Sequence, residues 1–151
     1  MALKKQVHAI CELRYHIVLV TKYRRPVITG EVAEHLKREC CRLVEMFDGE
    51  VIEIETDMDY VHILAAFGPE HSIRTIMNSL KGVTARTMRR DHWDVVSRQL
   101  WGKSFWSDSY YISTCGGVTV ETIRKYVENQ GKPKRKYVRK KPRPIHPTPN
   151  L

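Results

Sequence analysis

Between Ile52 and Phe67 the chain passes from strict alternation to a nearly continuous apolar run, and few folds place two such patterns side by side. Ile52 and Ile54 alternate with Glu53 and Glu55, as in a strand buried on one face. A short turn then leads into Val61-His62-Ile63-Leu64-Ala65-Ala66-Phe67, and the two segments pair as a hairpin that Gly68-Pro69 breaks. Helical periods flank this hairpin. From Glu31, the residues Val32, Leu36, Cys40, Leu43, Val44 and Phe47 recur at helical spacing, with Thr29 as N-cap and Asp48-Gly49 as the stop. Ser72 caps a second helix whose face carries Ile73, Met77, Leu80 and Thr84 and which reaches about Arg90. Before them, the β-branched and aromatic stretch around Tyr15 to Thr21 predicts a strand over about residues 9 to 21, closed off by Pro26. After a Trp-rich connection, Phe105 to Cys115 predicts a fourth strand, and Gly116-Gly117 turns the chain into a last helix stopped by Gly131. The order is strand, helix, strand, strand, helix, strand, helix. It is the split βαβ, ferredoxin-like pattern: an α+β fold with an antiparallel sheet and one added C-terminal helix.

Length and charge limit what such a fold can be. With 151 residues and 42% hydrophobic content the chain fits one globular domain. Its longest apolar runs, Ile17 to Val20 and Ile63 to Phe67, are too short to cross a bilayer, and no apolar stretch of signal-peptide length follows the N-terminus. A cytoplasmic location is the expectation. Cys11, Cys40, Cys41 and Cys115 lack Cys-x-x-Cys spacing, so they read as small hydrophobes rather than a zinc site or a disulfide framework. The net charge of +9 divides unevenly: eight Lys or Arg and no acid lie in residues 132–151, leaving +1 over residues 1–131. The expected organisation is therefore a folded domain over 1–131 and a basic tail over 132–151. That tail also carries Pro133, Pro142, Pro144, Pro147 and Pro149, and reads as an extended or disordered arm that either contacts phosphates or is simply solvated. Within the domain, Lys22, Arg24 and Arg25 form one basic group and Lys81, Arg86, Arg89 and Arg90 another, both candidate DNA-phosphate contacts. Tyr23, Trp93, Trp101, Phe105, Trp106, Tyr110 and Tyr111 are of the type that stacks on unpaired bases, though at least half are expected in the core.

One spacing carries chemistry. Tyr126 and Gln130 are four residues apart on the last helix, which puts a phenol and a carboxamide on one face. A tyrosine hydroxyl beside a metal-capable group can attack phosphorus when another element supplies further metal ligands. Strand parity gives a partner, because Tyr60 and His62 share a face while Val61 and Ile63 point the other way. The plainer reading of the same residues is packing, since a lone strand histidine is more often a bonded core residue than a ligand.

Asp59-Tyr60-Val61-His62-Ile63-Leu64, then Leu80-Lys81-Gly82-Val83-Thr84-Ala85-Arg86, Leu100-Trp101, Phe105-Trp106, Tyr110 and Lys125-Tyr126-Val127-Glu128-Asn129-Gln130 follow one another in a distinctive order. Together with Tyr15-His16-Ile17-Val18 and Lys22-Tyr23-Arg24-Arg25, this series resembles the single-tyrosine HUH transposases (TnpA) of bacterial and archaeal insertion sequences, the IS200-like family. The resemblance covers about residues 10 to 131 and implies a prokaryotic, nucleoid-associated protein. It implies a ferredoxin-like homodimer that cleaves and rejoins single-stranded DNA at hairpin-bearing element ends, using Mg²⁺ or Mn²⁺ held by a His-hydrophobic-His motif. Carried over by position, Tyr126 is the nucleophile that forms a 5′-phosphotyrosine link, His62 is the second histidine and Gln130 the third metal ligand. The helix bearing Tyr126 can, in such proteins, dock on the other subunit.

Tyr60 stands where the family has its first histidine. A neutral phenol is a poor ligand, with an ordinary pKa of about 10. Three readings follow: Tyr60 as a weak oxygen ligand; a metal content with His62, Gln130, waters and DNA oxygens; or a decayed site on a hairpin-binding protein that does not nick. Asp59 is expected on the opposite face and Asp57 at the turn, so neither replaces the missing imidazole. The rival from another class is a non-catalytic or domesticated nucleic-acid-binding module of the same fold. An RRM-type RNA binder is disfavoured because its aromatic strand motif is missing.

Overall fold

The computed structural model describes residues 4–5, 10–11, 13–100, 102, 104–114 and 120–130. Its elements run β1 (Lys4–Lys5), β2 (Ile10–Cys11), β3 (Leu13–Val20), α1 (Gly30–Met46), β4 (Glu50–Asp57), β5 (Tyr60–Phe67), α2 (Ile73–Asp91), α3 (Trp93–Gln99), β6 (Tyr111–Thr114) and α4 (Val120–Gln130). Strands β1 and β2 pair only with each other. The main sheet has the order β4-β5-β3-β6 with every neighbouring pair antiparallel, which is the ferredoxin-like arrangement expected from the order of elements.

Parity on two strands explains the packing. Ile17 and Leu19 of β3 and Val61, Ile63, Ala65 and Phe67 of β5 all face one side of the sheet, where α1 and α2 cover them. From α1 come Val32, Leu36, Cys40, Leu43 and Val44, and from α2 Ile76, Met77, Leu80 and Met88. Burial of each Val, Leu, Ile, Phe or Met among them contributes about 1.5–3 kcal/mol relative to exposure. Cys40 belongs to this core and burial pushes its thiol far above the ordinary range, so it behaves as the hydrophobe its sequence context predicts. Cys41 is half-buried, and Cys115 lies outside the described residues. Ser72 caps α2 as predicted, its hydroxyl accepting from the Thr75 amide at 3.1 Å. Thr29 occupies the N-cap of α1 without a side-chain bond.

Four boundaries differ from expectation, each for a tertiary reason. The predicted strand over residues 9 to 21 is split: Ile10 and Cys11 pair with β1, and Thr21 keeps only one bridge, to Trp106. The predicted fourth strand from Phe105 is shortened to Tyr111–Thr114, because Phe105 and Trp106 turn into the core and Trp106 Nε1 donates to the buried Thr84 hydroxyl at 2.9 Å. The Trp-rich connection holds α3, a seven-residue helix with Val96 its one buried side chain, too short and too polar for its period to show. The predicted stop of α1 is made differently: Asp48, not Gly49, takes the left-handed φ of 58°. Among the aromatics, Phe105 and Trp106 are buried, Tyr110 and Tyr111 half-buried, and Tyr23 and Trp93 exposed. Cys115 to Gly117, Trp101 and the 132–151 tail lie outside the described residues. No helix among the described residues is long and apolar enough to cross a membrane.

Gly49 is required for space rather than for φ. A Cβ there would lie 2.6 Å from the Phe67 ring and 2.8 Å from Val44 Cγ1, both in the core. Gly49→Ala should therefore destabilise the fold by about 1–3 kcal/mol, the cost of overpacking. A urea titration checks this through a lower midpoint at unchanged slope.

Candidate active site

The second face of the sheet carries the chemistry. Val18 and Val20 of β3 are fully buried there beneath Val127 of α4, with Tyr60, Tyr111, Ile123 and Tyr126 packed around them. The spacing of Ile123, Tyr126, Val127 and Gln130 explains why α4 docks this way, since residues three, four and seven apart form one stripe. That stripe ends at a loop the sequence reading missed. Tyr126 Oη lies 3.1 Å from Ser109 Oγ. Gln130 Oε1 accepts from the hydroxyls of Ser109 and Ser107, both at 3.1 Å. The Tyr126 ring also packs on Tyr111, with centroids 5.3 Å apart. Burial raises the Tyr126 pKa above its ordinary value, and the Ser109 hydrogen bond opposes this only in part. The nucleophile candidate is thus a protonated phenol held beside a carboxamide.

Lys81 secures this loop. Its ammonium donates to the Ser107 carbonyl at 2.8 Å and the Asp108 carbonyl at 3.2 Å, and burial lowers its pKa. Lys22 pairs with Asp108 at 3.1 Å. These two predicted DNA contacts therefore flank the segment that meets Tyr126 and Gln130. Arg24 has another duty: its Nε donates to Asp59 at 2.8 Å and locks the β4–β5 turn against the tight Lys22–Arg24 turn, where Tyr23 and Arg24 both adopt positive φ. Arg25 Nε is buried without a hydrogen-bond partner. Arg86, Arg89 and Arg90 lie along α2, with Arg89 bonded to the Ala85 carbonyl and Arg90 to Asp91.

Tyr60 and His62 do share this face, and Tyr60 touches the apolar cluster under α4. Burial raises the Tyr60 pKa, and the nearby carboxylates of Asp57, Asp59 and Glu55 raise it further against the pull of Arg124. Phenolate is thus the less accessible form. A cleft of about 340 Å³ opens beside Tyr60, lined by Arg24, Asp57, Asp59, Arg124 and Glu128 among others. His62 is half-buried, and its Nε2 lies 2.9 Å from His16 Nδ1 with the two rings stacked at 7°. Burial lowers the His62 pKa, as does the neighbouring His16, while Glu55 and Glu53 act in the other direction.

Register fixes how these groups lie relative to one another. His62 pairs across β5 and β3 with Val18, and Val18 pairs with Tyr111 on β6. Two strand spacings put the His62 and Tyr111 backbones about 10 Å apart. Val18 and the covering Val127 stand between them. A single chain thus unites Tyr126 with Gln130 and sets Tyr60 and His62 on one face; Tyr60 and Tyr126 both border the Val18–Val20–Val127 cluster, and among the described residues no contact joins His62 to Tyr126 or Gln130. The one three-membered histidine and carboxylate group among the described residues, Asp48, Glu70 and His71, contains none of the expected ligands and sits at the far end of the hairpin.

The antiparallel sheet and its covering helices are shared with solved transposase structures. The family profile described as Transposase IS200 like matches residues 9–130. The ISDra2 transposase TnpA of Deinococcus radiodurans is 36% identical over 131 residues, spanning 86% of this chain and 92% of that protein. The transposase for insertion sequence element IS200 of Salmonella typhimurium is 28% identical over 84% of this chain and 82% of its own length. A crystal structure of a candidate transposase from Deinococcus radiodurans R1 matches with a TM-score of 0.77 at 33% identity, covering 85% of this chain and 98% of that one. A REP-associated tyrosine transposase bound to a REP hairpin shares the fold, with a TM-score of 0.53 at 8% identity over 85% of this chain and 69% of that one. The chain belongs to the IS200-like transposase family.

The perturbed imidazole gives a pH dependence. Folded His62 holds its proton less tightly than it does in the unfolded chain, so the unfolded state binds more protons in acid and stability falls as pH drops below about 6.5. The urea midpoint should decline between about pH 7.5 and about pH 5, and decline less in His62→Gln. Equal slopes for both proteins would exclude His62 as a source of the acid sensitivity.

Proposed function

We propose that the chain is a metal-dependent DNA transposase that cleaves and rejoins single-stranded DNA through Tyr126. The observation that carries this reading is the shared contact of Tyr126 and Gln130 with Ser109, which sets a phenol and a carboxamide on one docked helix face. In the reaction, the Tyr126 Oη–phosphorus bond forms as the phosphorus–O3′ bond breaks; the phenol gives up its proton to solvent and the departing 3′ oxygen takes one up, leaving a 3′ hydroxyl on the cut strand. The 5′-phosphotyrosine link keeps the energy of the broken phosphodiester, so a 3′ hydroxyl can later displace Tyr126 and reseal DNA. His62 and Gln130 would hold a divalent cation, Mg²⁺ or Mn²⁺, which would supply charge neutralisation at the phosphate. Tyr60, with its raised pKa, contributes at most a neutral oxygen.

Because His62 and Tyr126 lie on either side of Val18 and Val127 in one chain, the reading includes a homodimer in which α4 of one copy completes the site of the other. Single-stranded DNA with hairpin ends is the proposed substrate, supported by family membership and by the hairpin bound to a protein of the same fold. Lys22, Arg24, Arg25, Lys81, Arg86, Arg89 and Arg90 are the proposed phosphate contacts, and the 132–151 tail adds affinity without sequence preference. Tyr60 favours one second reading, a hairpin-binding relative that has lost nicking.

Incubating the protein with end-labelled hairpin DNA and Mg²⁺ or Mn²⁺, then separating under denaturing conditions, distinguishes the two. The transferase reading predicts a covalent protein–DNA adduct that Tyr126→Phe reduces by more than about 10³-fold, the scale of losing a nucleophile. Tight hairpin binding with no adduct under either metal selects the second reading.

A further inference from the structure

We infer that His16 and His62 together form a two-imidazole cation site, in which His16 supplies the nitrogen donor that position 60 lacks. The inference rests on the proposed role of His62 as a ligand and extends it to a residue on a different strand. His16 faces Leu64 and His62 faces Val18 in the β3–β5 register, so the two are diagonal neighbours on the α4 side of the sheet. Neither lies under Val127, whose buried contacts are with Val18 and Val20. Both imidazoles are half-buried, and their Nδ1 and Nε2 atoms are 2.9 Å apart.

That separation has chemical content. Two neutral imidazoles in such contact use one N–H and one lone pair, and the donor ring can present a second lone pair by moving its proton to its other nitrogen. Two cis ligands at about 2.1 Å from an octahedral ion are about 3.0 Å apart. A tetrahedral ion at similar bond lengths needs about 3.4 Å. The observed 2.9 Å is a hydrogen-bond separation, and it puts the two nitrogens near enough to serve one ion once the rings turn, without strand movement. In that bond the lone pairs lie along the nitrogen–nitrogen line, so both rings must reorient about χ1 and χ2 to face a shared ion.

Glu55 of β4 lies directly across from His62 and is exposed; its carboxylate is not within ligand distance of both imidazoles, so it offsets charge rather than completing a donor set. Two imidazoles suit Mn²⁺ or another first-row ion better than Mg²⁺, which prefers oxygen alone. Tyr60 then needs no role as a ligand. Its phenol remains packed with Ile123 and Val127 beside the cleft, a site where an imidazole would serve no packing purpose.

A second imidazole pair, His35 Nδ1 and His92 Nε2 at 2.9 Å, lies between helices and must be silenced in any test. The full chain carrying His35→Gln is therefore given one equivalent of Mn²⁺ and examined by electron spin-echo envelope modulation, which counts coordinated imidazole nitrogens. The inference predicts two nitrogens, falling to one in His16→Ala and in His62→Ala, with Mn²⁺ affinity reduced about tenfold to a hundredfold in each. Tyr60→His should raise the count to three. A count of one that His16→Ala leaves unchanged would overturn the site, even if affinity fell, since that pattern marks His16 as a positioning residue only. Failure to bind Mn²⁺ tightly overturns it equally. The decisive count is taken on the His35→Gln chain, whose change lies away from the sheet that carries His16 and His62. Two nitrogens without any DNA adduct would sink the transferase reading alone, and an adduct with one nitrogen would sink this one alone.

Discussion

The central strand of the sheet is buried on both faces, and most of the molecule follows from that. Residues Ile17, Val18, Leu19 and Val20 of β3 are all at 0% exposure. Odd positions need a cover on one side, which α1 and α2 provide. Even positions need a second cover, and only an added element can supply it after the ferredoxin-like unit has spent its two long helices. Helix α4 meets that need through Ile123, Tyr126 and Val127. The helix that carries the candidate nucleophile is thus held by the same hydrophobic demand that makes β3 a good central strand. Its docking also has a cost for chemistry, because the valines it covers separate Tyr126 from His62.

Much of this was legible in the residues. The hairpin, α1 and α2 announce themselves through periods of 2 and 3.6, and Ser72 caps α2 as its position suggests. What failed to show depended on tertiary contact. Phe105 and Trp106 have strand propensity but spend it on core packing against Thr84. The seven residues of α3 bury too little to leave a pattern. At the site, Tyr126 with Gln130 and Tyr60 with His62 were each found by spacing, whereas Ser107 and Ser109 sit in a loop whose place is set by Lys81. His16 is different. Its parity with Val18 places it on the active face, so strand alternation contained the signal, but its partner lies 46 residues away and only the β3–β5 register brings the two rings together.

The substitution of a phenol for an imidazole at position 60 also has a local logic. Asp57, Asp59 and Glu55 make the surroundings of Tyr60 electronegative, and α4 makes them partly dry. Both effects hold the phenol neutral, so Tyr60 is better suited to packing α4 than to binding a cation. An imidazole pair one row further along the sheet leaves that packing intact while keeping two nitrogen donors on the same face.

The claim on which the account turns is that a working site needs His62 from one copy and Tyr126 from another. Mixing Tyr126→Phe with His62→Ala, each inactive alone, tests it directly on labelled hairpin DNA with Mn²⁺. Exchange into mixed dimers should restore the covalent adduct to about a quarter of the wild-type yield, since half the dimers then hold one complete site. The adduct should reside on the His62→Ala chain, which retains Tyr126. An exchanged mixture that remains as inactive as its two components would contradict the two-chain site and place the chemistry within a single chain.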